Sequence, residues 1–121
     1  MDAHFEPYEK LYRAVYPDDM FWKENGKVSS AAFLSKKGGC SVDRGNFRDD
    51  EAVVFDMRQR NFKGSIVAVT VLNCTEVEAV PVYAPSQNNI YHSEIHRSIE
   101  LVPLTAGQRK HLANSAVIVA P

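Results

Sequence analysis

The chain is patterned mainly for strands. Residues 11–16 combine aromatic and β-branched side chains and stop at Pro17-Asp18-Asp19, which predicts a first strand. Leu11, Arg13 and Val15 then share one face and Tyr12, Ala14 and Tyr16 the other. Arg13 interrupts an apolar stripe, so it is expected at a sheet edge or in an ion pair. Met20-Phe21-Trp22 supplies an apolar anchor before Asn25-Gly26, the strongest short turn signal. Residues 28–34 read as a short extended segment or as a helical turn over residues 31–34 capped by Ser29 or Ser30. After a Lys36-Lys37-Gly38-Gly39 loop, residues 40–46 predict a brief strand closing in a Gly-Asn turn. Residues 49–60 have the polarity of a helix, with acids in the first turn, arginines in the last, and Val53, Val54 and Met57 on one side. Residues 64–72 form a continuous β-branched run that leaves no face for water and so predicts a central strand. Pro81 and Pro85 confine a strand over residues 80–85 to an edge. Residues 88–97 predict a further strand, Thr105 opens a helix through about Asn114 with capping-box spacing, and residues 116–120 a last short strand. The sum is an α+β fold: a single domain, residues 1–121, with a mixed, mostly antiparallel sheet and two main helices.

A chain of 121 residues can bury a core without disulfides or a structural metal. Charged residues at 24% and hydrophobic ones at 45% exclude disorder and coiled coil. The 14 Lys+Arg and 15 Asp+Glu nearly cancel, so no global field draws the chain to nucleic acid or an acidic membrane. A local cluster of Lys36, Lys37, Arg44 and Arg48 around Phe47 is diluted by Asp43, Asp49 and Asp50, which ranks nucleic acid low among partners. Cys40 and Cys74 belong to no C-x-x-C pair and read as reduced thiols. Residues 1–10 lack the apolar run of a secretory signal and no stretch is long enough to span a bilayer, so the expectation is a cytoplasmic protein with no membrane partner.

The densest chemistry lies in residues 88–97. On a strand, His92, Glu94 and His96 project from one face. Two imidazoles and a carboxylate are the ligands of a facial metal triad, but side chains two residues apart on one strand stand well separated and no H-E-x-x-H pattern is present, so a metal is not expected. A metal-free polar pocket fits the residue types better. His92 would act as acid or base and Glu94 would orient a hydroxyl or stabilise a developing cation; these are the expected catalytic residues. Arg13 would pair with a phosphate, Ser29 and Ser30 would donate to ribose or phosphate oxygens, and Asn89 joins them as an expected ligand contact. A nucleophile reading has less support, because neither cysteine has a base nearby in sequence and no G-x-S-x-G elbow occurs.

The order Leu11-Tyr12-Arg13, then Ser29-Ser30-Ala31-Ala32-Phe33, then Glu94 resembles the Arg, Ser-x-Ser and Glu signatures carried on three strands of the ADP-ribosyltransferase and RES-domain folds. That resemblance implies NAD as ligand, with Arg13 near its phosphates and Glu94 near the ribose. The patterns Ser-Ser-Ala-Ala-Phe, Ser41-Val42-Asp43-Arg44 and Asn89-x-x-His92-x-Glu94-Ile95 are also similar to those of small bacterial proteins. The functional expectation is a domain that binds or processes a nucleotide-like, NAD-type ligand. The competing expectation is a non-enzymatic protein-interaction module, for example a component of a toxin–antitoxin or phage-defence system. Spatial placement discriminates the two, since Arg13 and His92 on opposite sides would leave no shared pocket.

Overall fold

The strand predicted from residue 11 forms as β1 (Lys10–Val15) and takes a place in the middle of a six-stranded sheet. The computed structural model describes residues 1–36 and 38–121, so the Lys37 position of the predicted lysine-glycine loop lies outside the described residues. In chain order the other elements are β2 (Cys40–Arg44), α1 (Asp50–Gln59), β3 (Ser65–Thr70), α2 (Val71–Thr75), β4 (Val80–Tyr83), β5 (His92–His96), α3 (Ala106–Ser115) and β6 (Val117–Ala120). The strands lie in the order β4-β5-β2-β1-β3-β6, and each neighbouring pair is antiparallel. The α+β class, the antiparallel sheet and the two longer helices agree with the sequence pattern.

Both faces of the sheet are used. Leu11, Val15, Cys40, Val42, Val67, Val69 and Ile95 pack on one side against the 3-10 turn Ser30–Phe33, α2 and α3, through Phe33, Cys74, Leu112 and Ala113. Tyr12, Ile66, Ala68 and Ala120 line the other side beneath Val53 and Met57 of α1. Asp49 caps α1 by accepting from the Ala52 amide at 2.8 Å, and Thr105 and Gln108 close a reciprocal capping box on α3. At the Asn25-Gly26 turn, Gly26 takes the left-handed conformation (φ 82°) that glycine adopts without penalty.

Three expectations are corrected. Residues 28–34 contribute a single bridge, Val28 to Trp22, and then the 3-10 turn, and neither serine hydroxyl caps that turn; Ser29 Oγ instead donates to the Met20 carbonyl at 2.6 Å. The strand expected through residue 72 stops at Thr70, because the Thr70 hydroxyl accepts from the Asn73 amide while the Asn73 side chain accepts from the Thr70 amide, and this box starts α2. Arg13 sits on an interior strand and is satisfied by carbonyls, not by a carboxylate: Nε donates to Ala32 O (2.9 Å), Nη1 to Ser41 O (2.8 Å) and Nη2 to Leu34 O (3.3 Å). A guanidinium offers several donors in a fixed fork, which suits it to the carbonyls left open where a short helical turn ends.

The N-terminal segment is fastened by one ion pair. Arg44 is 2% exposed and donates to Glu9 through Nε (2.8 Å) and Nη2 (2.9 Å), while its remaining N–H groups reach the carbonyls of Asp2 and His4. Its guanidinium also stacks on Phe5 at 4.2 Å. Removing one member of such a pair strands the other charge in the interior. Replacing Glu9 by Ala is therefore expected to cost about 3–5 kcal/mol of folding free energy, measured by urea denaturation.

Candidate functional site

The strand register separates the residues that the sequence grouped. Tyr12 pairs with Asp43 and Asp43 with His92, while Ser41 pairs with Glu94, so His92 and Glu94 project from the Tyr12 face. Arg13, one residue along β1, projects from the opposite face, where the 3-10 turn carrying Ser29 and Ser30 is packed. The six residues do not all assemble into one pocket: Arg13 and His92 both border one shallow cleft, but Ser29, Ser30, Asn89 and Glu94 do not line it. Most have local work: His92 Nδ1 lies 2.8 Å from the Ala84 carbonyl, and Asn89 donates to Asp43 at 2.8 Å and accepts from the Tyr91 amide at 3.0 Å. Glu94 lies 3.0 Å from His96 Nε2. The buried His96 ring is seated on Gly39, where a Cβ would come within 2.7 Å of it, so Gly39→Ala is expected to destabilise by about 1–3 kcal/mol in thermal or urea unfolding.

The other chemistry in the sequence is likewise spent. Among the described residues no three His, Cys, Asp or Glu side chains cluster where one ion could be held. Both cysteines are free and buried, and burial pushes the Cys40 thiol up and the Cys74 thiol up to about 12, which withholds the thiolate needed for nucleophilic attack. Of the basic cluster, Arg44 is the buried ion-pair member. Arg48 stacks on Tyr91 at 3.4 Å and donates to the carbonyls of Gly45 and Arg44. Beside His92, Ser41, Asp43 and Arg60 border a shallow cleft of about 250 Å³, but Arg60 there is held by Asp43 and Asp56.

A better-formed cleft of about 330 Å³ opens between the N-terminal segment and the β2–α1 loop. Tyr8 and Phe47 border it, with Tyr12, Lys10, Glu6, Glu9, Arg48, Asp49 and Asp50. Its loop is braced on every side. The Glu9 carboxylate accepts from the Asn46 amide at 3.0 Å, Arg48 holds two loop carbonyls, and Asp49 is committed to the cap of α1. Within that brace Asn46 (φ 48°) and Phe47 (φ 68°) both adopt left-handed backbone. The conformation is ordinary for Asn and costly for Phe. Yet the Phe47 side chain is 87% exposed, and Tyr8, also bordering the cleft, is 71% exposed. A strained backbone that displays an aromatic ring to water is maintained by its surroundings, and such outliers concentrate at ligand clamps.

No family model, no curated protein and no solved structure matches this chain. The site is therefore defined by its own geometry.

On the cleft floor Tyr12 donates its hydroxyl to Asp50 Oδ1 at 2.6 Å, and Lys10 Nζ donates to the same carboxylate at 3.1 Å. The Tyr12 hydrogen bond, then Lys10, hold the Asp50 carboxyl below its ordinary value of 3.8, although partial burial works against them. Burial and the bond to Asp50 push Tyr12 well above its ordinary value of 10.0. Both shifts keep Asp50 charged and Tyr12 protonated across the neutral range. The sequence signal for this site was the interleaving of Phe5, Glu6, Tyr8 and Glu9 in a stretch that has no strand or helix pattern, together with an aromatic residue directly after Gly45-Asn46.

A depressed carboxyl stabilises the fold above its unfolded value and loses that contribution as pH falls through its folded value. In Tyr12→Phe the Asp50 pKa is expected to move back up toward 3.8, followed by NMR titration of the carboxyl carbon, with a loss of about 1 kcal/mol of stability at neutral pH. The same variant is expected to flatten the fall in stability between pH 4 and more acidic conditions, about the range where aspartates ordinarily titrate.

Proposed function

We propose that the protein is a non-enzymatic recognition module that receives a cationic side chain of a protein partner between Tyr8 and Phe47. The reading is carried by Phe47, a bulky residue held in left-handed backbone with its ring 87% exposed at the rim of the cleft. Exposed aromatic faces attract guanidinium and ammonium groups through the ring quadrupole. Charge points the same way. Of the four carboxylates that border the cleft, Glu9 is paired with Arg44, Asp49 caps α1 and Asp50 is held by Tyr12 and Lys10, so Glu6 at the rim is the one open to a cation, while both cations of the cleft are engaged, Lys10 by Asp50 and Arg48 by loop carbonyls and the Tyr91 ring.

An anionic ligand has little to hold it here. The N-terminus of α1 borders the cleft, but the Ala52 amide is taken by the Asp49 side chain and the first turn carries Asp50 and Glu51. A nucleotide phosphate would meet carboxylates where phosphate sites present open amides. Of the polar groups expected to grip a nucleotide, Arg13 and Ser29 are engaged with backbone carbonyls, and neither Ser29 nor Ser30 lines the cleft that Arg13 and His92 border. An interaction module therefore accounts for more of the molecule than an NAD-dependent enzyme does.

Isothermal titration with short Arg- and Lys-rich peptides and with matched Glu-rich peptides tests the proposal. Basic peptides are expected to bind with an affinity that falls as salt rises, and Phe47→Ala and Tyr8→Ala are each expected to remove about 1 kcal/mol of binding. Phe47→Gly relieves the left-handed strain, so it is expected to bind weakly while unfolding at a temperature no lower than the parent. Thermal stabilisation by NAD or another nucleotide, with no response to basic peptides, would sink the recognition reading.

A further inference from the structure

We infer that the β6 edge is the surface through which two copies of this chain pair, joining their sheets across a two-fold axis. The inference stands apart from the aromatic cleft and rests on the outer edge of the sheet. β6 is hydrogen-bonded to β3 on one side only, which leaves the outward amides and carbonyls of Val117–Ala120 facing away from the sheet. An edge strand of this kind is a template for another strand unless something blocks it.

The two edges of the sheet are treated differently. β4 carries Pro81 within the strand, and Pro85 follows it, so the edge lacks a donor where a further strand would need one. β6, reading Val-Ile-Val-Ala, carries neither proline nor charge within the strand, and Pro121 lacks a donor only past its end. Its side chains are also exposed for so apolar a strand, Val117 at 65% and Ile118 at 46%. Beside it runs an apolar cleft of about 420 Å³ between Val119, Ala120 and the outer side of α1, bordered by Glu51, Val54, Phe55 and Arg58. Phe55 is 65% exposed there.

Symmetry selects the occupant. Two identical edges close into a finite pair only when the strands run antiparallel about a two-fold axis perpendicular to the sheet. That operation keeps both copies of α1 on the same face of the joined sheet and sets them antiparallel to each other. The stripe Glu51, Phe55, Arg58 is then matched by its own reverse: the two Phe55 rings come toward the axis, and Glu51 of each copy comes toward Arg58 of the other, whose Nη1 is held by the Phe62 and Gly64 carbonyls so that the contact falls to its remaining N–H groups. The stripe is thus self-complementary in both charge and hydrophobicity. An unrelated partner would have to supply the same pattern, whereas a second copy supplies it automatically.

Sedimentation equilibrium of the full chain over a wide concentration range tests the inference. The parent is expected to form a dimer, and Phe55→Glu and Val117→Lys are each expected to raise its dissociation constant by about tenfold or more while leaving the circular dichroism spectrum and melting transition in place, since both side chains are exposed in the single chain. Hydrogen exchange of the β6 amides is expected to slow as the parent concentration rises. A parent that remains monomeric throughout, or a dimer whose affinity is indifferent to both substitutions, would overturn it.

Discussion

The ion pair between Arg44 and Glu9 sets the position of everything distinctive in this molecule. Arg44 lies on β2, in the middle of the sheet, and Glu9 lies just before β1, so the pair locks the N-terminal segment to the strand beside it. A buried charge pair is tolerated only when its remaining hydrogen-bonding groups are also satisfied. Here the carbonyls of Asp2 and His4 complete the arginine, and the Asn46 amide completes the glutamate. The last of these contacts connects the core to the cleft. The carboxylate that neutralises Arg44 also holds the loop that presents Phe47.

Rigidity of that loop explains how an unfavourable backbone can persist. Left-handed Phe costs about 1–3 kcal/mol, and the hydrogen bonds from Asn46 and Arg48, together with the α1 cap at Asp49, supply the compensation. The exposed ring gains little burial in the isolated chain, and the proposed recognition of a partner is what would give its displayed position a use. The work of the polar strand β5 is different. His92, Glu94 and His96 brace the chain against Ala84, Gly39 and one another, and so serve the sheet.

Much of the architecture was legible in residue order, because short-range physics dictates it. The β-branched run at residues 64–72, the acid-to-arginine polarity of residues 49–60, the Thr105–Gln108 box and the prolines around β4 each act within a few residues, and the antiparallel α+β domain follows from them. Where local reading failed, a local competitor was present but outweighed on paper: the Thr70–Asn73 box ended β3 two residues before its apolar run did. Facing was legible too, since His92 and Glu94 share the side that strand alternation assigns them.

What residue order could not supply was which strands lie side by side and which loops meet. Arg13 and His92 looked like members of one pocket because both were polar groups without a local explanation; they border one shallow cleft, but strand parity across β1, β2 and β5 sends their side chains to opposite faces, and that parity exists only once the register is formed. Arg44 looked like one member of a local basic cluster and proved to be a buried ion-pair partner, since its carboxylate is 35 residues away. Phe47 looked like a lone aromatic in a basic turn, and only the approach of the N-terminal segment made it one wall of a cleft with Tyr8. Hydrophobic spacing and capping are settled within a few residues of sequence, whereas ion pairs, strand order and clefts join groups that the chain brings together only by folding.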